Sequence, residues 1–358
     1  MVVSGGGTGG HLFPGIAVAD TFIAQGGEVL FIGTDRMVDG TVLKDKPYQV
    51  RTISAAGIKG RGLLARVAAL SRLLVGFFQS LGILRGFRPA MVIGTGGYVT
   101  VPVLLAARIL AIPTLLHEQN SVPGLANRFL GRFVDRVMIS MPGSERCFDP
   151  EKTRMSGNPV REEIIAVGQE EGPAAPVLLA LGGSQGAHRI NTALSEALCL
   201  AKDRLPEGFL VVHQTGAADR DEVANNYRSC GIRAEVKAFI EDMAAEYHRA
   251  ALVVSRAGAT SLAEICAVGR GAILIPYPHA ADDHQNKNAD VLVRAGAAVK
   301  IEEREFTAEK LAALIVELMD DLAKKSEMAV AAKGLARADA VEAILAECRG
   351  LIGKKTNV

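Results

Sequence analysis

A chain of 358 residues with 49% apolar and 22% charged side chains is long enough for two domains with aliphatic cores and too apolar to be disordered. Its net charge of +1 hides an asymmetry: between Lys46 and His117 there is no Asp or Glu, while Lys46, Arg51, Lys59, Arg61, Arg66, Arg72, Arg85, Arg88 and Arg108 give +9, leaving −8 for the remainder. One half should therefore carry a basic surface able to meet anionic lipid or nucleic acid. Cys147, Cys199, Cys230, Cys266 and Cys348 form no C-x-x-C pair and no zinc-like spacing with His, so they read as reduced thiols of a cytosolic protein. The opening Met1-Val2-Val3-Ser4 runs straight into glycines, which leaves no room for a signal peptide. Arg66, Arg72, Arg85 and Arg108 interrupt the best apolar runs before they reach the roughly 18 to 20 residues of a spanning helix, so no membrane crossing is expected.

In chain order, a first short strand leads into Gly5-Gly6-Gly7-Thr8-Gly9-Gly10-His11 and then a helical segment with Pro14 in its first turn. Glycines let a ligand approach the backbone, and the helix start offers unpaired N–H groups and the positive end of the dipole. Gly5, Gly7 and Gly10 also fit G-x-G-x-x-G, with Asp35 after the second strand, so a dinucleotide site is one reading and a plain tight turn another. His11 stands where the loop meets the helix, at the carboxyl edge of a parallel sheet where such folds bind ligands, and is either a ligand-facing residue or simply a capping or packing one. Further strands are predicted at Glu28–Ile32, Ala90–Ile93, Thr114–His117 and Arg136–Ile139, then Val177–Leu181, Phe209–His213, Leu252–Ser255 and Ala272–Ile275. Helical patterns separate them, which means parallel βαβ units. Between Lys59 and Arg88 an apolar stretch laced with arginines reads either as a core helix or as an interfacial element.

The second half mirrors the first. Val92–Gly97 is similar to Val253–Gly258, and Leu181 is followed by a second glycine turn, 182–186, so two doubly wound domains are expected. Gly157-Asn158-Pro159 marks their junction, giving domains 1–156 and 157–339 and a last helix, 340–358, that packs on one or the other. Glu264 lies about one turn after Thr260 in a helix led by Ser255-Arg256-Ala257-Gly258, where a carboxylate could accept two ribose hydroxyls or simply face solvent. Arg161, just past the junction, could neutralise a diphosphate or be an ordinary surface Arg. His279, Asp282, Asp283 and His284 lack a helical H-x-x-x-H frame and are read as loop residues, with no metal assigned.

Taken together, GGTGGH within 5–11, TGGYVTVP at 95–102, HEQNSVPGLANR at 117–128, GNPVR at 157–161, LGGSQGA at 181–187, SRAGATSLAE at 255–264 and HQNKNA at 284–289 closely resemble the MurG family of bacterial glycosyltransferases. The resemblance covers nearly the whole chain. It implies the α/β GT-B fold, two Rossmann-like doubly wound domains facing across a cleft, with UDP-GlcNAc held by the C-terminal domain and the last helix returning to the N-terminal one. Carried over, Arg161, Ser184 and the 182–186 turn meet the diphosphate. Ile240, Ala259 and Thr260 hold the nucleoside, Glu264 takes the ribose hydroxyls and Gln285 the sugar hydroxyls. Thr8, Gly9, Gly10 and Asn120 face them from the acceptor domain. His11 is the implied general base and Glu118 the alternative.

The implied reaction inverts GlcNAc from UDP-GlcNAc onto the 4-hydroxyl of undecaprenyl-pyrophosphoryl-MurNAc-pentapeptide. It needs no cofactor or metal and involves no nucleic acid. The protein would dock peripherally on anionic lipid at the cytoplasmic face of the inner membrane. Rival readings are another GT-B enzyme such as a UDP-GlcNAc 2-epimerase, an NAD-dependent oxidoreductase and a non-catalytic nucleotide-sugar binding protein. Two departures from the family pattern stand out: a short stretch before the first glycine loop and a long 278–284 loop.

Overall fold

A computed structural model describes residues 1–34, 41–44, 46–57, 62–170, 172–173, 175–182 and 186–356. Asp35, Lys59, Arg61 and Ser184, singled out in the sequence, lie outside them. The chain divides into two compact units, Met1–Val160 with Arg337–Val358, and Arg161–Ala336. The division therefore falls just after the Gly157-Asn158-Pro159 turn, and the C-terminal helix Ala340–Thr356 belongs to the first unit, against the helix Gly9–Ala24.

The first unit is built on β1 (Val2–Gly5), β2 (Leu30–Gly33), β3 (Gln49–Thr52), β4 (Val92–Gly96), β5 (Thr114–Glu118), β6 (Arg136–Ile139) and β7 (Thr153–Met155), all parallel in the order β3-β2-β1-β4-β5-β6-β7. Successive side chains of a strand point to opposite faces. Val3, Phe31, Ile93, Leu115 and Met138 accordingly pack on one side with Ile344 and Leu345 of the last helix, while Val2, Leu30, Ile32, Val92, Leu116 and Val137 pack on the other with Leu84, Val103 and Leu104. Burial on both faces is why the central strands read as unbroken apolar runs. In the short first strand Val2, Val3 and Ser4 pair with both β2 and β4.

The second unit has β8 (Val177–Leu181), β9 (Leu210–Gln214), β10 (Ala234–Lys237), β11 (Ala250–Ser255), β12 (Ala272–Leu274) and β13 (Ala298–Lys300), again all parallel, in the order β10-β9-β8-β11-β12-β13. In each sheet the order reverses direction at one place, between β1 and β4 and between β8 and β11. Connections leave to opposite sides there, so a crevice opens beyond the carboxyl ends of those strands, where such folds bind ligands. The four glycine-containing segments picked out in the sequence, after β1, β4, β8 and β11, sit at these two reversals.

One expectation is overturned, and the ground given for another is not met. Cys199 and Cys230 are joined as a disulfide, with Cα atoms 5.5 Å apart, tying the end of helix His188–Ala201 to the end of helix Arg220–Cys230. Thirty-one residues separate them, and only the packing of two helices beside one strand brings them together, so no local spacing announces the pair. Cys147, Cys266 and Cys348 are free thiols. Second, the helix Leu64–Phe87 is long and apolar enough, by length and composition, to cross a membrane despite its arginines. It is two-faced: Ala69, Phe77, Leu81 and Leu84 turn inward, the last three against the core, while Leu64, Val67, Leu70, Leu74 and Phe78 are all more than half exposed.

Candidate active site

In the first unit the site begins where β1 ends. Thr8 caps the helix Gly9–Ala24 with extended backbone, and its carbonyl accepts from the amides of His11 and Leu12, which places His11 in the first turn. The segment after β4 packs beside it. Gly6 N–H donates to Gly96 O at 3.2 Å, and the Thr95 hydroxyl donates to His11 O at 2.7 Å. Gly96 has φ +104°, and a Cβ there would lie 2.8 Å from His11 Nδ1, so only glycine lets the imidazole sit against this strand end.

The end of β5 supplies the polar set. His11 Nδ1 lies 3.0 Å from Gln119 Oε1. Gln119 Nε2 donates to Thr95 O at 2.7 Å and faces His117 Nδ1 at 3.1 Å. His117 Nε2 lies 3.1 Å from Gly157 O and 3.0 Å from Ser140 Oγ. Burial pushes the His117 imidazole down to about 4, against the opposing pull of the Gly157 carbonyl and with a smaller repulsion from His11, so it is neutral at physiological pH. Glu118, also buried, accepts from Asn120 N–H at 2.9 Å and Asn120 Nδ2 at 3.2 Å on one oxygen, and from Gly124 N–H at 3.3 Å and Asn127 Nδ2 at 2.8 Å on the other. Four donors on two oxygens make this carboxylate the acceptor around which the 119–124 turn is wound.

In the second unit Gly186 closes the glycine turn after β8. Its φ is +79°, and a Cβ would meet Thr215 O at 1.9 Å. After β11, Gly258 leads the helix Ala259–Val268, and Ala259 and Thr260 occupy its first turn. Glu264 lies on that helix and is buried, not solvated. Its Oε1 is 3.4 Å from Arg161 Nη2 and its Oε2 accepts from the Tyr247 hydroxyl at 3.2 Å. Burial raises the Glu264 carboxyl above its ordinary range, with Arg161 and Tyr247 pulling the other way. Arg161 thus faces Glu264 and, at 3.6 Å, Glu163.

Ile240 is buried and its amide donates to Gln214 Oε1 at 2.8 Å. Gln285, in the first turn of helix His284–Arg294, accepts from Tyr277 N–H at 2.9 Å. Just before it, Asp282 and Asp283 both adopt left-handed backbone, at φ +55° and +57°, an uncommon conformation for non-glycine residues. Arg256 anchors the same loop: its guanidinium donates to the carbonyls of Ile275 and Pro276, pairs with Glu303 and lies 5.3 Å from the Tyr277 ring centroid. Gln119, Asn127, Thr95, Tyr247 and Arg256 were not among the predicted site residues. All but Tyr247 stand inside motifs already quoted, whereas Tyr247 comes from a separate helix with no motif of its own.

Two parallel doubly wound units, with glycines following the strands at each strand-order reversal, are the build of the GT-B class, and the matched families make the chain a glycosyltransferase of that class. The N-terminal domain of glycosyltransferase family 28 matches residues 1–139 and its C-terminal domain residues 177–344. The chain is 48% identical to the UDP-N-acetylglucosamine--N-acetylmuramyl-(pentapeptide) pyrophosphoryl-undecaprenol N-acetylglucosamine transferase of Citrifermentans bemidjiense, covering 96% of this chain and 98% of that protein. It is 47% identical to the protein of the same name from Geobacter sulfurreducens, covering 97% of each. The crystal structure of Acinetobacter baumannii MurG superposes with a TM-score of 0.77 at 31% identity, covering 98% of both chains. A putative UDP-N-acetylglucosamine 2-epimerase from Listeria monocytogenes reaches a TM-score of 0.69 at 14% identity, a likeness of fold alone. The chain belongs to the MurG family of glycosyltransferase family 28, the UDP-GlcNAc-dependent N-acetylglucosaminyltransferases of peptidoglycan synthesis. That membership sets aside the nicotinamide and epimerase readings.

Proposed function

We propose that the second unit holds UDP-GlcNAc and the first unit carries the acceptor chemistry, transferring GlcNAc to the 4-hydroxyl of undecaprenyl-pyrophosphoryl-MurNAc-pentapeptide. The observation that carries the donor half is the buried Glu264 on the helix that begins at Ala259. A carboxylate kept from water there accepts two vicinal hydroxyls, as a ribose presents them. Arg161, Ser184 and the helix N-terminus at Ala259 and Thr260 would stabilise the diphosphate as it gains charge on leaving. Ile240 would line the base, and Gln285, oriented through Tyr277, would meet the sugar hydroxyls. In the first unit His11 would take the proton of the attacking hydroxyl as general base. Thr8, Gly9, Gly10 and Asn120 would shape the acceptor side around it, and Glu118, held by four donors, is the second candidate base. Incubation with labelled UDP-GlcNAc and a short-chain form of the lipid acceptor should yield the β-linked disaccharide with release of UDP. Absence of product with every lipid-linked acceptor tried, while UDP-GlcNAc still binds, would leave a nucleotide-sugar binding protein instead.

The acceptor is anchored in a bilayer, and we propose that the enzyme meets it by docking peripherally on the cytoplasmic face of the inner membrane. The exposed stripe Leu64, Val67, Leu70, Leu74 and Phe78 supplies the apolar contact, and Arg66, Arg72, Arg85 and Arg88, all exposed on or just after the same helix, supply contacts to anionic headgroups. Phe77, Leu81 and Leu84 of the same helix are committed to the core. Each basic side chain near an anionic surface contributes about 1 kcal/mol, so several together hold the protein reversibly. Vesicles containing anionic lipid should co-sediment the protein at low salt and release much of it at high salt. Equal pelleting with neutral vesicles would remove the electrostatic contribution, and no pelleting with either would remove the docking itself.

A further inference from the structure

The polar chain behind His11 has its hydrogens fixed by two groups that can only accept. Thr95 O is a carbonyl and lies 2.7 Å from the Gln119 amide, so the atom facing it is the amide nitrogen. The amide oxygen therefore points the other way, to His11 Nδ1 at 3.0 Å, and an oxygen there requires that Nδ1 carry the hydrogen. The far end gives the same answer. Gly157 O, also a carbonyl, lies 3.1 Å from His117 Nε2, so that nitrogen donates. In a neutral ring His117 Nδ1 is then an acceptor, which is what the second hydrogen of the Gln119 amide needs at 3.1 Å. Reversing the amide would set its nitrogen against His11 Nδ1–H and its oxygen against Thr95 O. All four links are thus satisfied in one arrangement only. Gln119 is 1% exposed and His117 is equally buried, so water cannot substitute for either partner.

We propose that Gln119 is a positioning residue that holds His11 as its Nδ1–H tautomer, leaving the lone pair on Nε2 to receive the proton of the attacking hydroxyl. The function of that tautomer rests on His11 being the base, whereas the tautomer itself does not. A free imidazole in water favours hydrogen on Nε2, which would present an N–H to the incoming hydroxyl where a base needs a lone pair. Anchored through Thr95 O at the end of β4 and through His117 to Gly157 O after β7, the amide selects the other form before substrate arrives. His117 is in this account a spacer whose neutrality keeps the chain in register. Were it protonated, its Nδ1–H would oppose the amide hydrogens of Gln119.

The test is a multiple-bond ¹H–¹⁵N correlation spectrum of the full-length, ¹⁵N-histidine-labelled protein at neutral pH, with the His11 signals assigned by their loss in His11→Ala. Wild type should show His11 with a protonated, pyrrole-type Nδ1 and an unprotonated, pyridine-type Nε2. In Gln119→Leu the His11 pattern should revert towards the Nε2–H form, kcat should fall by at least about tenfold and KM for UDP-GlcNAc should hold. A wild-type spectrum with His11 protonated on Nε2 overturns the proposal without any variant having to fold, and so does a Gln119→Leu protein whose His11 pattern is unchanged. If the tautomer shifts in Gln119→Leu while kcat does not, the positioning stands and it is the assignment of His11 as base that fails.

Discussion

Replacing His11 by alanine is expected to lower kcat by about 10²- to 10⁴-fold, the range that a general base contributes, while UDP-GlcNAc binding changes little. The separation follows from placement. His11 stands in the first unit, in the first turn of the helix that follows β1, whereas Arg161, Tyr247 and Glu264 belong to the second. A base acts on the acceptor hydroxyl only as the bond to the anomeric carbon forms, so its loss is felt in the transition state and not in the donor complex. The measurement is steady-state kinetics against both substrates, with calorimetric titration of UDP to confirm that the second unit is intact. A variant with near wild-type kcat and a raised KM for the lipid acceptor would make His11 a binding or packing residue and move Glu118 to the head of the candidates. His11→Gln is the useful companion, because it keeps a polar group against Gln119 and removes only the titratable ring.

The sequence was informative where one residue's chemistry depends on its near neighbours. Glycine turns after β1, β4, β8 and β11 are local features, and the topology makes them converge in pairs at the strand-order reversals, so the general location of the site was legible. The interior strands were legible for the same reason: burial on both faces demands short apolar runs. Four strands went unread, β3, β7, β10 and β13, and all four are the outermost strands of their sheets. Gln49–Thr52 and Thr153–Met155 contain no buried residue, and Ala234–Lys237 is only half-buried along its length. An edge strand pairs through its backbone on one side and faces solvent on the other, so neither alternation nor an apolar run marks it. Long-range pairings were unreadable for a different reason. Arg161 and Glu264 are 103 residues apart, and His11 and Gln119 are 108 apart. Motifs named these residues or their neighbours, but only the fold says which of them touch. The same holds for Cys199 and Cys230, where the reading of free thiols rested on local spacing and the packing of two helices decided otherwise.

Glu264→Ala is expected to weaken UDP and UDP-GlcNAc by about tenfold to more than a hundredfold, the consequence of losing charge-assisted hydrogen bonds of roughly 1.5 to 3 kcal/mol. In the structure its two oxygens are engaged by Arg161 Nη2 and the Tyr247 hydroxyl, so alanine also leaves a buried hydroxyl and a guanidinium without that partner. Some loss of stability therefore accompanies the loss of affinity, on the order of 1 to 3 kcal/mol for the buried Tyr247 hydroxyl. Glu264→Gln separates the two effects, since an amide still accepts from Tyr247 and fills the same volume but carries no charge to offer a diol. If the carboxylate holds the ribose, calorimetry should rank UDP affinity as wild type, then Gln, then Ala, with thermal unfolding of the Gln variant close to wild type. The pH dependence gives an independent sign. Burial raises the Glu264 carboxyl above its ordinary value, so the anionic acceptor is present above that raised pKa and is lost as pH falls through it. UDP affinity of the wild-type protein should accordingly decline on acidification, with one proton taken up per carboxylate neutralised, and that component should vanish in Glu264→Gln. Equal UDP affinity in wild type, Gln and Ala, with each variant folded, would rule out the ribose contact and leave Glu264 as a buried partner of Arg161 and Tyr247 alone.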